Sequence, residues 1–370
     1  MPEIDGSPEQ MTSSLTGSLV PPDRIAGRVL GGAVASAAPG LLGRLRHRLL
    51  RIPPRETTFE VRRFHEGRPD ARIELERHGE SFVSGFNLAL LASGAEDFER
   101  RICLVPLEER GFAYEGAAMA LAILDLLVPA DPLRVQKLME GAGSRYVYTI
   151  HVGIGWALAR LRRRPWGRFR SLDHLLRWLA IDGYGFHEAF FKPERTVRAQ
   201  LRPRRLGGYA LRVFDQGVGR SIWFVDGADV KQVLTTVAAF SPDRRPDLLS
   251  GVGLAAAYAG GAPPADLEML LEGAGPLRPA LAQGAAFAAQ ARVRGQNMVP
   301  HTETACRVFC EMGALEAALE TNLALDRIDE QRFCPAPGFH EHLPAYERWR
   351  TAIQARFGGS PTDSAEGGRQ

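Results

Sequence analysis

Lysine is nearly missing from this 370-residue chain, with three residues (Lys137, Lys192 and Lys231) among 46 basic ones. Arginine therefore carries almost all of the positive charge. Together with abundant Ala and Gly, this bias is typical of a GC-rich genome. The formal net charge is only +3, which gives no case for a nucleic-acid partner. Apolar runs long enough for a transmembrane helix are absent. The N-terminus lacks the basic stretch and apolar core of a secretory signal.

Cysteine is also scarce, and the four residues form no CxxC pair or disulfide framework. This usage predicts a reducing, cytoplasmic location. Cys306 and Cys310 share a helical face, with His301 upstream and Cys334 downstream. Their spacing matches no common zinc site, so we expect buried packing roles and predict no metal and no cofactor.

Several catalytic signatures are missing. The chain has no GxxxxGK[ST] phosphate loop and no GxSxG nucleophile elbow. The Gly-Val-Gly at residues 217–219 lacks the third glycine of a dinucleotide-binding fingerprint. Adjacent aspartates are absent, so the acidic motifs of terpene cyclases are not present. Function therefore has to be sought in other patterns.

A glycine recurs at an interval of about 33 residues. The separations are 31, 37, 30, 34, 34 and 33 residues. We call these the register glycines: Gly85, Gly116, Gly153, Gly183, Gly217, Gly251 and Gly284. This period predicts an all-α fold of about seven helical hairpins. A closed α/α toroid and an open, curved α-solenoid both remain possible. The glycines are expected to permit close packing between helices.

The residue before each register glycine is polar in six of the seven copies: Ser84, Glu115, Asp182, Gln216, Ser250 and Gln283, with Val152 as the exception. In that copy the polar residue moves back one place to His151, a slot that Tyr114 and Asp215 occupy in other copies. Constant stacking would place these side chains in one row. Two interpretations stay open: a ladder of hydrogen bonds between units, or the polar lining of a cavity.

The predicted organisation is a disordered tail (1–22), an N-terminal capping helix (23–53), one helical repeat domain (54–345), and a helix end with a disordered tail (346–370). Residues 24–52 are alternatively suited to peripheral membrane contact. Alternation near residues 57–63 and 72–76 predicts a minor β element. The arginine-rich run at residues 160–170 is expected to be a solvated loop.

Four segments resemble the UnbL-type family, whose genes lie beside the iterative polyketide synthase in enediyne clusters of actinomycetes. They are RGFAYEGAAMA (110–120), DGYGFHEAFF (182–191), DQGVGRSIWF (215–224) and PHTETAC (300–306). The resemblance spans residues 54–344. It implies a role in converting a linear polyene polyketide into the enediyne core. It supplies no established catalytic residues.

Two functions follow as hypotheses. The first is a metal-free biosynthetic enzyme, of cyclase or isomerase type, that processes an apolar polyene in a helical-repeat cavity. Its candidate catalytic residues are Glu115, Tyr114, His151, Asp182, His187 and Asp215, as acids, bases or proton shuttles. The candidate substrate-binding residues are Ser84, Gln216, Ser250, Gln283, Trp156, Phe186 and Trp223, with Tyr258 and Phe287 as further aromatic lining. The second is a non-catalytic scaffold for the polyketide synthase or its partner enzymes.

Overall fold

All regular secondary structure in the computed structural model is helical. The structure describes residues 39–128, 133–162, 172–333 and 343–358, and no strand occurs in these ranges. The all-α prediction is confirmed. Within these ranges the α-helices are α1 (Leu41–Leu50), α2 (Phe59–Arg62), α3 (Pro69–Leu91), α4 (Ala95–Ile102), α5 (Arg110–Leu127), α6 (Arg134–Glu140), α7 (Val147–Arg160), α8 (Trp178–Phe191), α9 (Tyr209–Val225), α10 (Val230–Ala238), α11 (Arg245–Ala259), α12 (Pro264–Ala274), α13 (Arg278–Gly295), α14 (Pro300–Cys310), α15 (Ala314–Phe333) and α16 (Ala345–Phe357).

The predicted β element is wrong. The hydroxyl of Thr58 accepts a hydrogen bond from the Val61 amide and so starts α2. Residues 72–76 lie inside α3, which begins with proline in its first turn and has Asp70 beside it. Local helix-start signals therefore outweigh a short alternation of apolar and polar residues.

The seven register glycines lie on seven helices, which we call the core helices: α3, α5, α7, α8, α9, α11 and α13. Each core helix packs on the next in this order. Shorter helices fill the connections, and α10, α12 and α14 pack on one another along the side. The period of the sequence therefore marks one helix in each unit, the one that carries most of the buried residues.

The register glycines allow backbone contact between core helices. A Cβ at Gly153, Gly183 or Gly217 would overlap the carbonyl oxygen of the residue before the register glycine on the preceding core helix. The same holds for Gly251 and Gly284. In the copies where a second glycine follows two residues after the register glycine, that second glycine lies against the backbone of the next core helix instead. Small residues are thus required on both flanks of a core helix, which confirms the packing interpretation of these glycines.

The row of core helices curves, so that its first and later members meet. Helix α3 contacts α11, and Nε2 of His78 on α3 lies 2.8 Å from the carbonyl oxygen of Ala259. At the other end, α16 packs on α13 and α15. The N-terminal helix α1 packs on α3, but it covers only part of the predicted cap at residues 23–53; residues 23–38 lie outside the described ranges, as do the predicted tails at 1–22 and 359–370.

Candidate functional site

Two interior cavities lie between the core helices and share the side chains of Arg220, Leu254 and Tyr258. Their volumes are about 40 and 50 Å³. We call the smaller one the aromatic cavity and the larger one the second cavity, and the two together the chamber. The three shared side chains form the common wall of the two cavities.

The aromatic cavity takes its name from seven aromatic residues in its wall: Phe82, Phe112, Trp156, Phe186, Phe190, Phe224 and Tyr258. The ring of Trp156 lies 4.4 Å from Phe82 and 5.1 Å from Phe186 between centroids. Asp182, Phe186 and Phe190 are spaced four residues apart on α8, so one face of that helix supplies a polar group and two rings. The resulting surface suits a flat or conjugated apolar molecule.

A buried ionic cluster joins the two cavities. The guanidinium of Arg220 forms an ion pair with Asp182, and its Nη2 lies 3.9 Å from Oε2 of Glu115. It also lies over the Phe186 ring, 5.1 Å from the centroid. Gln216, one helical turn before Arg220 on α9, donates to Oδ2 of Asp182 at 2.8 Å. One face of α9 therefore holds the Asp182 carboxylate from two positions.

Glu115 differs from Asp182 in its bonding. Burial raises its pKa from the usual 4.5 to about 7, against the attraction of Arg220 and with a further rise from Asp182. The indole N–H of Trp156 lowers this pKa slightly but does not reach the geometry of a hydrogen bond. Among the described residues no hydrogen bond within normal limits is made to the Glu115 carboxyl. A carboxyl with a pKa near 7 is partly protonated at neutral pH, and where it faces a cavity it is able to donate a proton.

A second carboxyl, Glu109, lies behind the aromatic cavity. Its Oε2 is 2.9 Å from Nδ1 of His78, whose ring stacks on Phe112. Burial alone would raise the pKa of Glu109, but His78 and Arg77 outweigh it and lower that pKa. Both His78 ring nitrogens face oxygen acceptors, the Glu109 carboxylate and the Ala259 carbonyl. The two glutamates therefore have opposite protonation preferences.

Tyr258 is fixed in the common wall from two directions. Arg292 donates to its carbonyl oxygen at 2.5 Å and lies 4.1 Å from its ring centroid. A Cβ at Gly111 would overlap the Tyr258 hydroxyl, so the glycine at position 111 makes room for it. Burial raises the pKa of Tyr258 to about 12, which keeps the phenol neutral.

The polar residues that precede the register glycines show both predicted arrangements: hydrogen bonds between units and the lining of a cavity. Asp182 accepts from Gln216, and Ser250 donates to Oε1 of Gln283 at 2.8 Å, as a ladder between units requires. Asp182 and Glu115 also line the chamber. Ser84, at the start of the row, is only partly buried and lines neither cavity.

Trp156 and Phe186 lie in the chamber wall as predicted for substrate contacts, whereas Trp223 is fully buried and donates its Nε1 hydrogen to the carbonyl of Gly260 at 2.8 Å. Tyr114 stacks on Tyr146 with centroids 4.3 Å apart. Neither Trp223 nor Tyr114 lines the chamber.

The remaining candidates for proton transfer also lie apart from Glu115. His151 donates from Nδ1 to the Val147 carbonyl at 2.6 Å, and burial lowers its pKa. Burial likewise lowers the pKa of His187, which lies 3.5 Å from Glu188. Asp215 on α9 forms ion pairs with Arg202 and Arg244. None of the three lines either cavity.

Arg220, His78 and most of the phenylalanine wall were not found from the sequence. Arg220 had a usable signal, because an arginine within the otherwise apolar QGVGRSIWF segment of α9 needs a buried partner. His78 had none, since it lies in a polar stretch of α3 whose burial depends on α11.

No group of three or more His, Cys, Asp or Glu side chains within the described ranges is arranged to hold a metal ion. Cys306 and Cys310 are buried free thiols that contact the Ala285 and Ala282 carbonyls, and Cys334 lies outside those ranges. None of the described helices has the length and apolar character needed to cross a membrane.

These features define an all-helical protein with an interior, acid-bearing aromatic chamber. The chain belongs to the DUF1702 family, described as proteins of unknown function, which it matches over residues 41–357. No curated protein and no solved structure matches it.

Proposed function

We propose that the protein binds an elongated apolar molecule in the chamber and that Glu115 exchanges a proton with it. The observation that carries this proposal is a buried carboxyl whose pKa is raised to about 7, without a hydrogen bond among the described residues and facing a cavity walled by aromatic rings. A structural carboxyl at such a depth is normally bonded, as Asp182 is. The unsatisfied bonding capacity of Glu115 is therefore directed at a ligand.

The size of the chamber bears on how such a ligand binds. Each cavity alone accommodates only a few atoms, since a water molecule occupies about 30 Å³ in the liquid. Leu254 belongs to both cavities and is partly exposed, so rotation of its side chain opens a path between them. An elongated molecule then extends from the phenylalanine wall, past Arg220, toward Trp349 and Phe287 in the second cavity.

The resemblance to the UnbL-type family suggests that the ligand is a linear polyene made by a polyketide synthase. In this proposal the curved row of core helices is an α/α toroid or solenoid built from hairpin repeats, and its inner side forms the chamber. The protein acts in the cytoplasm of an actinobacterium, with the synthase or tailoring enzymes as partners. Residues 24–52 are, in this proposal, a segment suited to peripheral membrane contact.

The chemistry available to Glu115 is proton transfer without a metal. The neutral carboxyl gives its proton to one carbon of the conjugated system, and the new carboxylate takes a proton from another carbon. The net reaction is an isomerisation, which needs no oxidant or reductant. Arg220 stabilises the carboxylate between the two transfers, and the aromatic wall stabilises the delocalised cation.

The test is to mix the purified protein with a synthetic linear polyene in D₂O and to record the absorption spectrum and the ligand mass. The proposal predicts a spectral shift on binding and deuterium incorporation into the polyene. Glu115→Gln should retain the shift and lose the incorporation. Asp226→Asn is the matched control, because Asp226 is also a buried carboxyl with a raised pKa but lines neither cavity.

Each other result has a defined meaning. A spectral shift without deuterium, in the wild type, leaves a binding role and removes Glu115 as an acid. No shift and no deuterium overturn both parts and favour the scaffold hypothesis. Incorporation that survives in Glu115→Gln contradicts the assignment of the acid.

A further inference from the structure

A surface cleft of about 440 Å³ lies between α8, the π-helical turn Glu194–Arg198 and the segment that precedes α9. One acidic side chain, Glu188, lines this cleft. Six basic side chains line it: Arg162, Lys192, Arg195, Arg202, Arg204 and Arg205. The cleft therefore has a strong excess of positive charge, although the whole chain is nearly neutral.

Two of the six cations are neutralised. Lys192 binds Glu188 at 2.7 Å, and Arg202 forms an ion pair with the buried Asp215. The other four arginines are exposed and have no carboxylate partner among the described residues. Their mutual repulsion is relieved when an anion binds between them. Arginine suits phosphate in particular, since its planar donors bind two oxygens at once.

The segment between α8 and α9, which carries Arg195, Arg204 and Arg205, is anchored to the fold. Gln200 adopts a left-handed conformation (φ 53°), donates to the Ala239 carbonyl at 2.9 Å and accepts from Arg244 through its own carbonyl. Arg244 also binds Asp215 at 2.6 Å, next to Arg202. Arg195 lies on the π-helical turn, a conformation that often marks functional positions. The backbone of this segment is thus fixed around Gln200, which reduces the entropy cost of ligand binding.

This cleft is separate from the chamber, because α8 lies between them. Asp182, at the start of the inner face of α8, lines the chamber, whereas Tyr184 and Glu188 on its outer face line the cleft. The inference does not depend on the function proposed for the chamber. It also assigns a structural role to Asp215. This carboxylate forms ion pairs with Arg202 and Arg244 and does not act on a ligand.

We propose that the cleft binds a phosphate group of a phosphorylated ligand. The four unpaired arginines bind the phosphate oxygens. Leu201, Pro203 and Phe214 contact the organic part of the ligand. The phosphate belongs either to a soluble phosphorylated molecule or to the headgroup of an anionic lipid, since both present the same oxygens to the arginines.

The experiment has two arms and uses the full chain. Calorimetric titration with inorganic pyrophosphate tests the soluble source, with sodium chloride of equal ionic strength as the blank. Sedimentation with phosphatidylcholine vesicles, with and without phosphatidic acid, tests the lipid source. Arg195→Gln and Arg204→Gln should each weaken binding roughly tenfold, as expected for the loss of one charge-assisted contact.

Arg198→Gln is the matched control: the same π-helical turn carries Arg198, it is exposed, and it does not line the cleft. It should change binding less than twofold by comparison, because only long-range attraction is lost. Pyrophosphate binding with this pattern assigns a soluble ligand. Phosphatidic acid-dependent sedimentation with this pattern, without pyrophosphate binding, assigns a lipid headgroup. No binding in either arm, or equal weakening by Arg198→Gln, overturns the proposal.

Discussion

Replacement of Glu115 by glutamine should make the protein more stable at alkaline pH. Glutamine has nearly the shape of the neutral acid and cannot ionise. In the folded wild type the pKa of Glu115 is raised to about 7, so folding favours its protonated form. The sign follows from this rise: the stabilisation contributed by Glu115 is fully present below its ordinary pKa of 4.5 and is lost as the pH rises through about 7.

The magnitude follows from the size of the shift. One pKa unit corresponds to about 1.4 kcal/mol, so the rise from 4.5 to about 7 gives a total loss of about 3 kcal/mol. About 2 kcal/mol of this falls between about pH 5.5 and pH 8.5. The Glu115→Gln variant should lack this loss. Arg220 keeps Asp182 as a partner in the variant, so the substitution leaves no unpaired buried charge.

The assay is the thermal midpoint of wild type and variant across that pH range. The midpoint of the variant should gain several degrees on the wild type as the pH rises. Glu109→Gln is the control: the pKa of Glu109 is lowered from 4.5, so its stabilisation is lost only in acid below this range, and the difference between this variant and the wild type should stay constant across it. A difference between Glu115→Gln and wild type that stays constant with pH would refute the raised pKa.

Three further predictions concern packing and the buried polar groups. Gly217→Ala should destabilise the protein by about 2 kcal/mol or more, because the new Cβ overlaps the Asp182 carbonyl, whereas Gly207→Ala, with open space around it, should change stability by less than about 1 kcal/mol in urea unfolding. Tyr346→Phe should cost about 1 kcal/mol in the same assay, since it removes the acceptor that lies 3.0 Å from Gln216 Nε2; no loss would show that this bond is immaterial. Asp182→Asn should cost about 3–5 kcal/mol, because it leaves the buried arginine of the cluster without its main partner, and a cost below about 1 kcal/mol would contradict that pairing.

The sequence predicted the helical class and the core helices because one physical requirement recurs along the chain. Close packing on a neighbouring backbone demands glycine wherever it occurs, so Gly153, Gly217 and Gly284 reveal their helices without any knowledge of the fold. The prediction of a minor β element was wrong for the opposite reason. Its signal was a short alternation, and the capping hydroxyl of Thr58 and the proline at the start of α3 decided the local structure.

The site was predictable only where the repeat pointed to it. Glu115 and Asp182 came from their place before a register glycine, and both line the chamber. Ser250 and Gln283 fit the same pattern but line neither cavity, and His151, one place earlier in its copy, does not line one either. Arg220 and Phe82 reach the chamber through contacts between distant helices. Such contacts depend on the curvature of the row, which no local pattern encodes.

The glycine packing also explains why α8 can serve two separate sites. Gly183 brings its backbone against Val152 on α7, and Gly185 brings it against Phe214 on α9, so two opposite flanks of α8 are occupied by helices. Only the inner and outer faces then remain for large side chains. The inner face carries Asp182 and the outer face carries Glu188, and their side chains enter the chamber and the basic cleft respectively. Substitutions on one face should therefore leave the other site unchanged, provided that the two glycines between them are kept.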